Sequence, residues 1–192
     1  MTGPGDTTSP KRGSDGRFTR RATAPVPVAA PTPLELYLLR HADAGDPMAW
    51  PGDDAERPLS KKGKRQTKRL GRHLRELGMQ PDAILTSPKV RAAQTASGIG
   101  KATGTSVMTD ERLAGGFEPG QLADLVGQLG AGVRRVILVG HDPDFSDLAS
   151  FLVGAQIGLA KGAIVRIDLG DRTVASSAGS LRWLLPPDAV PG

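Results

Sequence analysis

Apolar residues in this chain fall into short solid runs separated by stretches with helical spacing. The first run, Leu34-Glu35-Leu36-Tyr37-Leu38-Leu39, is too short for a helix, reads as a buried strand and ends at Arg40-His41. A loop rich in Asp, Pro and Gly follows to about Pro58. Ser60 can cap a helix over 61–77, where Leu70, Leu74 and Leu77 recur on one face and Gly78 supplies the stop. A second strand is predicted at 82–86, and Pro88 suits the first position of a helix running to about Thr103. Residues 105–109 read as a short strand and 119–130 as a helix. Arg134-Arg135-Val136-Ile137-Leu138-Val139-Gly140 is the clearest strand; it delivers His141, and Asp142-Pro143 opens a helix to about Val153. Strands at 162–169 and 180–185 close the pattern. Strands alternating with helices predict an α/β fold, a three-layer α/β/α sandwich whose mostly parallel sheet is covered on both faces.

Composition divides the 192 residues. The first 33 hold six of the 16 prolines and five basic residues (Lys11, Arg12, Arg17, Arg20, Arg21) against Asp6 and Asp15. Over half of the formal charge of +5 therefore sits in this segment. It buries too little apolar surface to offset its ordering entropy, so a disordered basic tail is expected over 1–33. Arg20-Arg21 hint at an export signal, but the Pro-broken sequence from Val26 to Pro31 lacks the apolar core such a signal needs. One domain is expected over 34–186, with a short C-terminal tail at 187–192. The absence of Cys excludes disulfides, thiolate nucleophiles and Cys-ligated metal centres together. No apolar run approaches the roughly 18 residues of a membrane span, so a cytoplasmic protein is expected.

The chemistry gathers around two of the three histidines. His41 and His141 each follow the carboxyl end of one of the two most apolar strands, the edge at which open α/β sheets bind ligands. Either alone could be a histidine satisfied at a strand end; the pair at equivalent positions points to a site. Arg40 adjoins His41, and Arg91 lies one turn into the helix after the second strand. Arg91 alone would read as a surface residue. With Arg40 it describes a pocket for a dianion such as a phosphoryl group, because guanidinium pairs bidentately with phosphate oxygens and a helix N-terminus favours anions. With no thiol and no Gly-rich nucleotide loop, a neutral imidazole is the available nucleophile at phosphorus. Its other ring nitrogen then needs a partner such as a backbone carbonyl.

Four blocks carry a resemblance: Leu39-Arg40-His41-Ala42-Asp43; Arg57-Pro58-Leu59-Ser60 with Gly63; Thr86-Ser87-Pro88-x-x-Arg91-Ala92-x-Gln94-Thr95; and Val139-Gly140-His141-x-Pro143. In this order they resemble the histidine phosphatase superfamily, with its phosphoglycerate-mutase-like fold. The short chain, Arg-His-x-Asp and Arg-Pro-Leu-Ser are most similar to SixA-type phosphohistidine phosphatases. The resemblance implies that His41 is the phosphorylated nucleophile, that Arg40, Arg91 and His141 form the phosphate pocket, and that Ser87 is a supporting donor. It implies no metal and no cofactor. Ala42 departs from the Gly most often found after the nucleophile, a change that matters only if the backbone needs φ > 0. Larger relatives place a proton-donating carboxylate after the third strand; Glu111 is the best match, with Glu118 and Asp43 as alternatives.

The implied activity is removal of phosphate from phosphohistidine in proteins by a monomer, with no nucleic-acid or membrane partner. Three other readings stay open. One is a small-molecule phosphomonoester phosphatase. Another is a metal-dependent phosphoesterase using Asp43, Asp46, Asp142 and Asp144. The third is a non-catalytic phosphate- or polyanion-binding module. The helix at 61–77 holds eight Lys and Arg residues against Glu76 alone, either a solvated face or a docking face for an acidic partner. His73 in that helix has no partner motif and reads as a surface residue.

Overall fold

The run from Leu34 forms β1 (Leu34–Arg40), with neighbours on both sides in a six-stranded sheet. The structure is a computed structural model that describes residues 33–191, so almost all of the expected N-terminal tail, with Arg20-Arg21, lies outside the described residues. The remaining strands are β2 (Ala83–Thr86), β3 (Val107–Thr109), β4 (Arg135–Gly140), β5 (Ile164–Leu169) and β6 (Gly179–Leu185), in the order β3-β2-β4-β1-β5-β6. The first four run parallel; β5 is antiparallel to β1, and β6, antiparallel to β5, runs in the direction of the first four. The sheet is thus mostly parallel, as the sequence pattern implied, with β5 alone reversed.

Alternation along the strands divides the core into two. Leu36 and Leu38 of β1 and Val136 and Leu138 of β4 face one side. There they meet Leu122 and Leu125 of α3 (Pro119–Gln128) and Leu148 and Leu152 of α4 (Asp144–Val153). Tyr37, Leu39, Ile137 and Val139 face the other side, against Leu70 and Leu74 of α1 (Lys61–Glu76) and Ala92, Ala96 and Ile99 of α2 (Val90–Thr103). Near-continuous apolar runs are what a strand covered on both faces requires. Helix α1 starts and stops where the sequence predicts: Ser60 Oγ accepts from the Gly63 amide, and Gly78 follows at φ +68°. Helix α2 begins two residues later than expected, at Val90 with Lys89 as its cap, so Pro88 precedes the helix and does not occupy its first position.

Two differences bear on the site. The loop to Pro58 contains short 3-10 turns at Pro47–Ala49 and Asp54–Glu56, capped by the side chains of Asp46 and Asp53. Residues 187–190, set apart from the domain in the sequence reading, pack back on it. Val190 is buried in the α1/α2 side of the core, and its carbonyl accepts a hydrogen bond from Arg69 of α1. One apolar residue amid prolines carries no periodic signal, so this docking was not legible locally.

Candidate active site

Parallel pairing of β1 with β4 places Arg40 opposite Gly140 and brings His41 beside His141 at the carboxyl edge of the sheet. The His41 amide donates to the Gly140 carbonyl (2.9 Å), and the two imidazole centroids lie 5.1 Å apart. Between β1 and β4 the chain turns from one face of the sheet to the other, which opens a crevice at this edge. The cleft there, about 380 Å³, is lined by Arg40, His41, Arg57, Lys89, Arg91, His141 and Lys161, with Asp142 and Asp144 as its carboxylates. Pro47, Ala114, Gly115 and Pro143 complete the walls.

His41 is oriented by the backbone. Its Nδ1 lies 2.8 Å from the Ala42 carbonyl oxygen, and Arg91 Nε donates to its Nε2 at 3.2 Å. A carbonyl can only accept, so Nδ1 carries the hydrogen and Nε2 presents a lone pair. The sequence argument required such a partner without being able to name it. Burial is the main reason the His41 pKa drops to about 4; the Ala42 hydrogen bond opposes this, and Arg91, Arg40 and Lys161 add to it. Ala42 does not have positive φ, so its methyl group is accommodated. Its amide donates to Thr95 Oγ1 at 3.1 Å, which ties the loop after His41 to α2.

His141 is buried as well, with a pKa pushed down to about 3, first by desolvation and then by His41, Arg91 and Lys89. Its Nε2 sits 2.8 Å from Ser87 Oγ. Ser87 is fully buried and its hydroxyl also accepts from the Lys89 amide. The structure therefore places Ser87 behind His141, where it orients the ring, and not on the cleft surface as expected for a phosphate donor. With Ser87 donating, the ring hydrogen resides on Nδ1, a buried atom without a partner.

The arginines are pre-set by acceptors. Arg40 donates to the Leu159 carbonyl at 2.6 Å and pairs with Asp142 at 3.3 Å, leaving its buried Nε unpartnered. Arg91 is held by Asp54 twice, through the backbone carbonyl at 2.6 Å and the carboxylate at 2.9 Å. The same carboxylate takes Arg57 Nε at 2.8 Å, and this contact is the main reason its pKa falls below the usual range. Arg57, Lys89, Lys161 and Asp54 were not assigned to the site from sequence. Arg57 had a signal in Arg-Pro-Leu-Ser, whereas Asp54 was one acid among several in a loop.

The expected proton donors are not brought in. Glu111 is exposed at the start of the 3-10 turn Glu111–Ala114, and only Ala114 and Gly115 of that segment reach the cleft. Glu118 is exposed at the cap of α3. Asp43 accepts from Ser60 Oγ at 2.5 Å and from the Gly45 amide, fastening the loop to α1. Asp144, in contrast, lines the cleft and accepts from the Phe117 amide at 3.0 Å. Among the described residues no group of three His, Asp or Glu side chains is arranged to hold a metal ion. No helix among them is long and apolar enough to cross a membrane.

Comparison with known proteins agrees with this geometry. The family model described as histidine phosphatase superfamily (branch 1) matches residues 36–116. An uncharacterized protein of Picosynechococcus sp. is 33% identical over 169 residues, covering 80% of this chain and all of that protein. The structure of the protein histidine phosphatase SixA complexed with tungstate aligns with TM-score 0.69 at 22% identity, covering 81% of this chain and 98% of that one. A mycobacterial glucosyl-3-phosphoglycerate phosphatase aligns with TM-score 0.57 at 19% identity, covering 78% and 97%. With its sequence relatives, its SixA-like fold and its paired histidines in one cationic cleft, the chain belongs to the histidine phosphatase superfamily and is a phosphatase.

Proposed function

We propose that this phosphatase acts without a metal, through a phosphorylated His41, and removes phosphoryl groups from histidine side chains of another protein. The observation that carries the reading is the fixed tautomer of His41: Nδ1–H on the Ala42 carbonyl and an Nε2 lone pair among cations. When phosphate enters, Arg91 Nε turns from Nε2 to a phosphoryl oxygen, the freed Nε2 lone pair attacks phosphorus in line, and the bond from phosphorus to the leaving group breaks. Positive charge developing on the His41 ring is stabilised by the Ala42 carbonyl. Arg40, Arg91 and His141 offset charge on the equatorial oxygens, groups set in place before reaction. Water then attacks the phosphorus, the P–N bond electrons return to Nε2, and the water proton leaves with phosphate. Tungstate in the related SixA structure is an oxyanion of the size such a pocket takes.

The placement of the carboxylates supports this substrate class. An ester leaves as an alkoxide and gains greatly from a general acid, whereas a phosphorylated imidazole can leave neutral with its proton already on the remote nitrogen. Asp142 here accepts from Ser146 and pairs with Arg40, while Glu111, Glu118 and Asp43 are outside the cleft lining. The presence of Asp144 in that lining favours a second reading, a small phosphomonoester substrate protonated by this acid.

The test is a side-by-side kcat/KM series on phosphohistidine, a phosphohistidine peptide, a sugar phosphate and an aryl phosphate. Rapid quenching at alkaline pH should trap acid-labile phosphate on His41, and His41→Ala should abolish trapping and turnover. A sugar phosphate beating phosphohistidine tenfold, with a rate that collapses in Asp144→Asn, would establish the second reading instead. Label on a Ser, Thr or Asp would end both.

A further inference from the structure

Helix α1 carries an arrangement of charge that the fold does not use. Lys61, Arg65, Lys68, Arg72 and Arg75 recur at spacings of four and three, so they form one stripe opposite the buried Leu70 and Leu74. Over 15 residues at about 1.5 Å each, the stripe is about 22 Å long. Lys61, Arg65, Lys68 and Arg75 are exposed, and among the described residues only Arg72 of the stripe has an ion pair, with Glu76 at 3.7 Å. Like charges at these spacings repel, and the first turn places Lys61, Lys62 and Lys64 at the helix end where the macrodipole disfavours cations. The arrangement therefore costs helix stability, with no compensating carboxylate in the first turn.

The first turn of α1 lies beside the loop that follows His41. Ser60, the cap of α1, bonds to Asp43, two residues beyond the nucleophile. Gln66 of α1 accepts from the Asp43 amide at 2.9 Å and donates to the carbonyl of Lys161, whose side chain lines the cleft. Lys62 and Lys161 both help to lower the Asp43 pKa, after its Ser60 hydrogen bond. A macromolecule presenting a phosphorylated side chain to His41 therefore comes close to the N-terminal end of α1, from which the stripe runs on along the exposed side of the helix.

We propose that the α1 stripe is the docking surface for the acidic face of the phosphoprotein substrate, guiding its phosphohistidine into the cleft. The proposal rests on the phosphohistidine reading above and adds the partner's charge. Complementary charge accelerates encounter and aligns the two surfaces, with a strong dependence on salt. Protein is favoured over single-stranded nucleic acid because α1 offers no Phe, Tyr or Trp on which bases could stack.

The test uses the full chain and synthetic peptides that carry one phosphohistidine beside a run of Glu, of Ser or of Lys. At low salt the Glu peptide should exceed the Ser peptide in kcat/KM by about tenfold or more, and about half-molar salt should erase the difference. The variant K61E/R65E/K68E/R75E should lose this preference while hydrolysing free phosphohistidine and an aryl phosphate at the wild-type rate. The Ala counterpart at the same four positions, better suited to a helix, should show the same loss if charge reversal impairs folding. Retention of the Glu preference in a folded variant would overturn the docking surface. A single-stranded oligonucleotide that outcompetes the unphosphorylated Glu peptide for the stripe would overturn the protein assignment. The two readings fail separately. A chain that binds the Glu peptide through the stripe but leaves free phosphohistidine intact keeps the docking surface and loses the phosphohistidine reading.

Discussion

Two buried neutral histidines make the fold sensitive to mild acid. His41 is 6% exposed and His141 7% exposed, and burial holds their pKa values near 4 and 3, against 6.5 for a free imidazole. Between those values the unfolded chain binds protons that the folded chain does not, so stability falls as pH falls from about 6.5 toward 4. At 1.36 kcal/mol per pKa unit, lowering the pH from about 7 to about 5 removes about 2 kcal/mol for each histidine. The pair together contributes a loss of about 4 kcal/mol, a large share of a typical domain's total. About pH 5 is the useful lower limit because free carboxylates remain largely ionised there. Urea unfolding at both pH values should show this loss in the wild-type chain. In the double variant H41Q/H141Q most of it should vanish, with the m-value unchanged. If the two proteins lose stability in parallel, the histidines are not held neutral by burial and the tautomer assigned to His41 loses its support.

Three further outcomes follow from particular contacts. Initial-rate measurements should give a kcat/KM that climbs with pH through an apparent pKa near 4, because Nε2 of His41 must be unprotonated to attack; a rise centred on 6.5 would contradict the desolvated site. Thr95→Val removes the acceptor of the buried Ala42 amide and should cost about 1–3 kcal/mol in denaturant unfolding, with a fall in kcat as the Ala42 carbonyl loses its anchor. Gly140→Ala would place a methyl carbon 2.6 Å from the Phe145 ring, so a loss of about 1–3 kcal/mol is expected from thermal unfolding, together with reduced turnover as the Gly140 carbonyl shifts under His41.

What the sequence determined here was local. The solid apolar runs at β1 and β4 could only be strands buried on both faces, and each ends in the histidine that it delivers to the sheet edge. Ser60 and Gly78 marked the ends of α1 because capping and φ restrictions act within a few residues, and Pro88 fell two residues short of the start of α2. Tertiary structure decided which strands became neighbours. The pairing of β1 with β4 joins residues about a hundred positions apart, and nothing periodic in either segment encodes the register that sets two imidazole centroids 5.1 Å apart. The same holds for the site's supporting groups. Asp54 gains its role only when its turn folds over Arg57 and Arg91, and Lys161 enters the cleft only because the chain before β5 returns beside His41. Glu111 failed as an expected acid for the converse reason: its place in the chain order matched, but a 3-10 turn points Ala114 and Gly115 inward and leaves the carboxylate outside the cleft lining. Propensity and patterning are properties of neighbours in the chain, whereas the cleft is built by neighbours across the sheet, whose positions are fixed by packing on both of its faces.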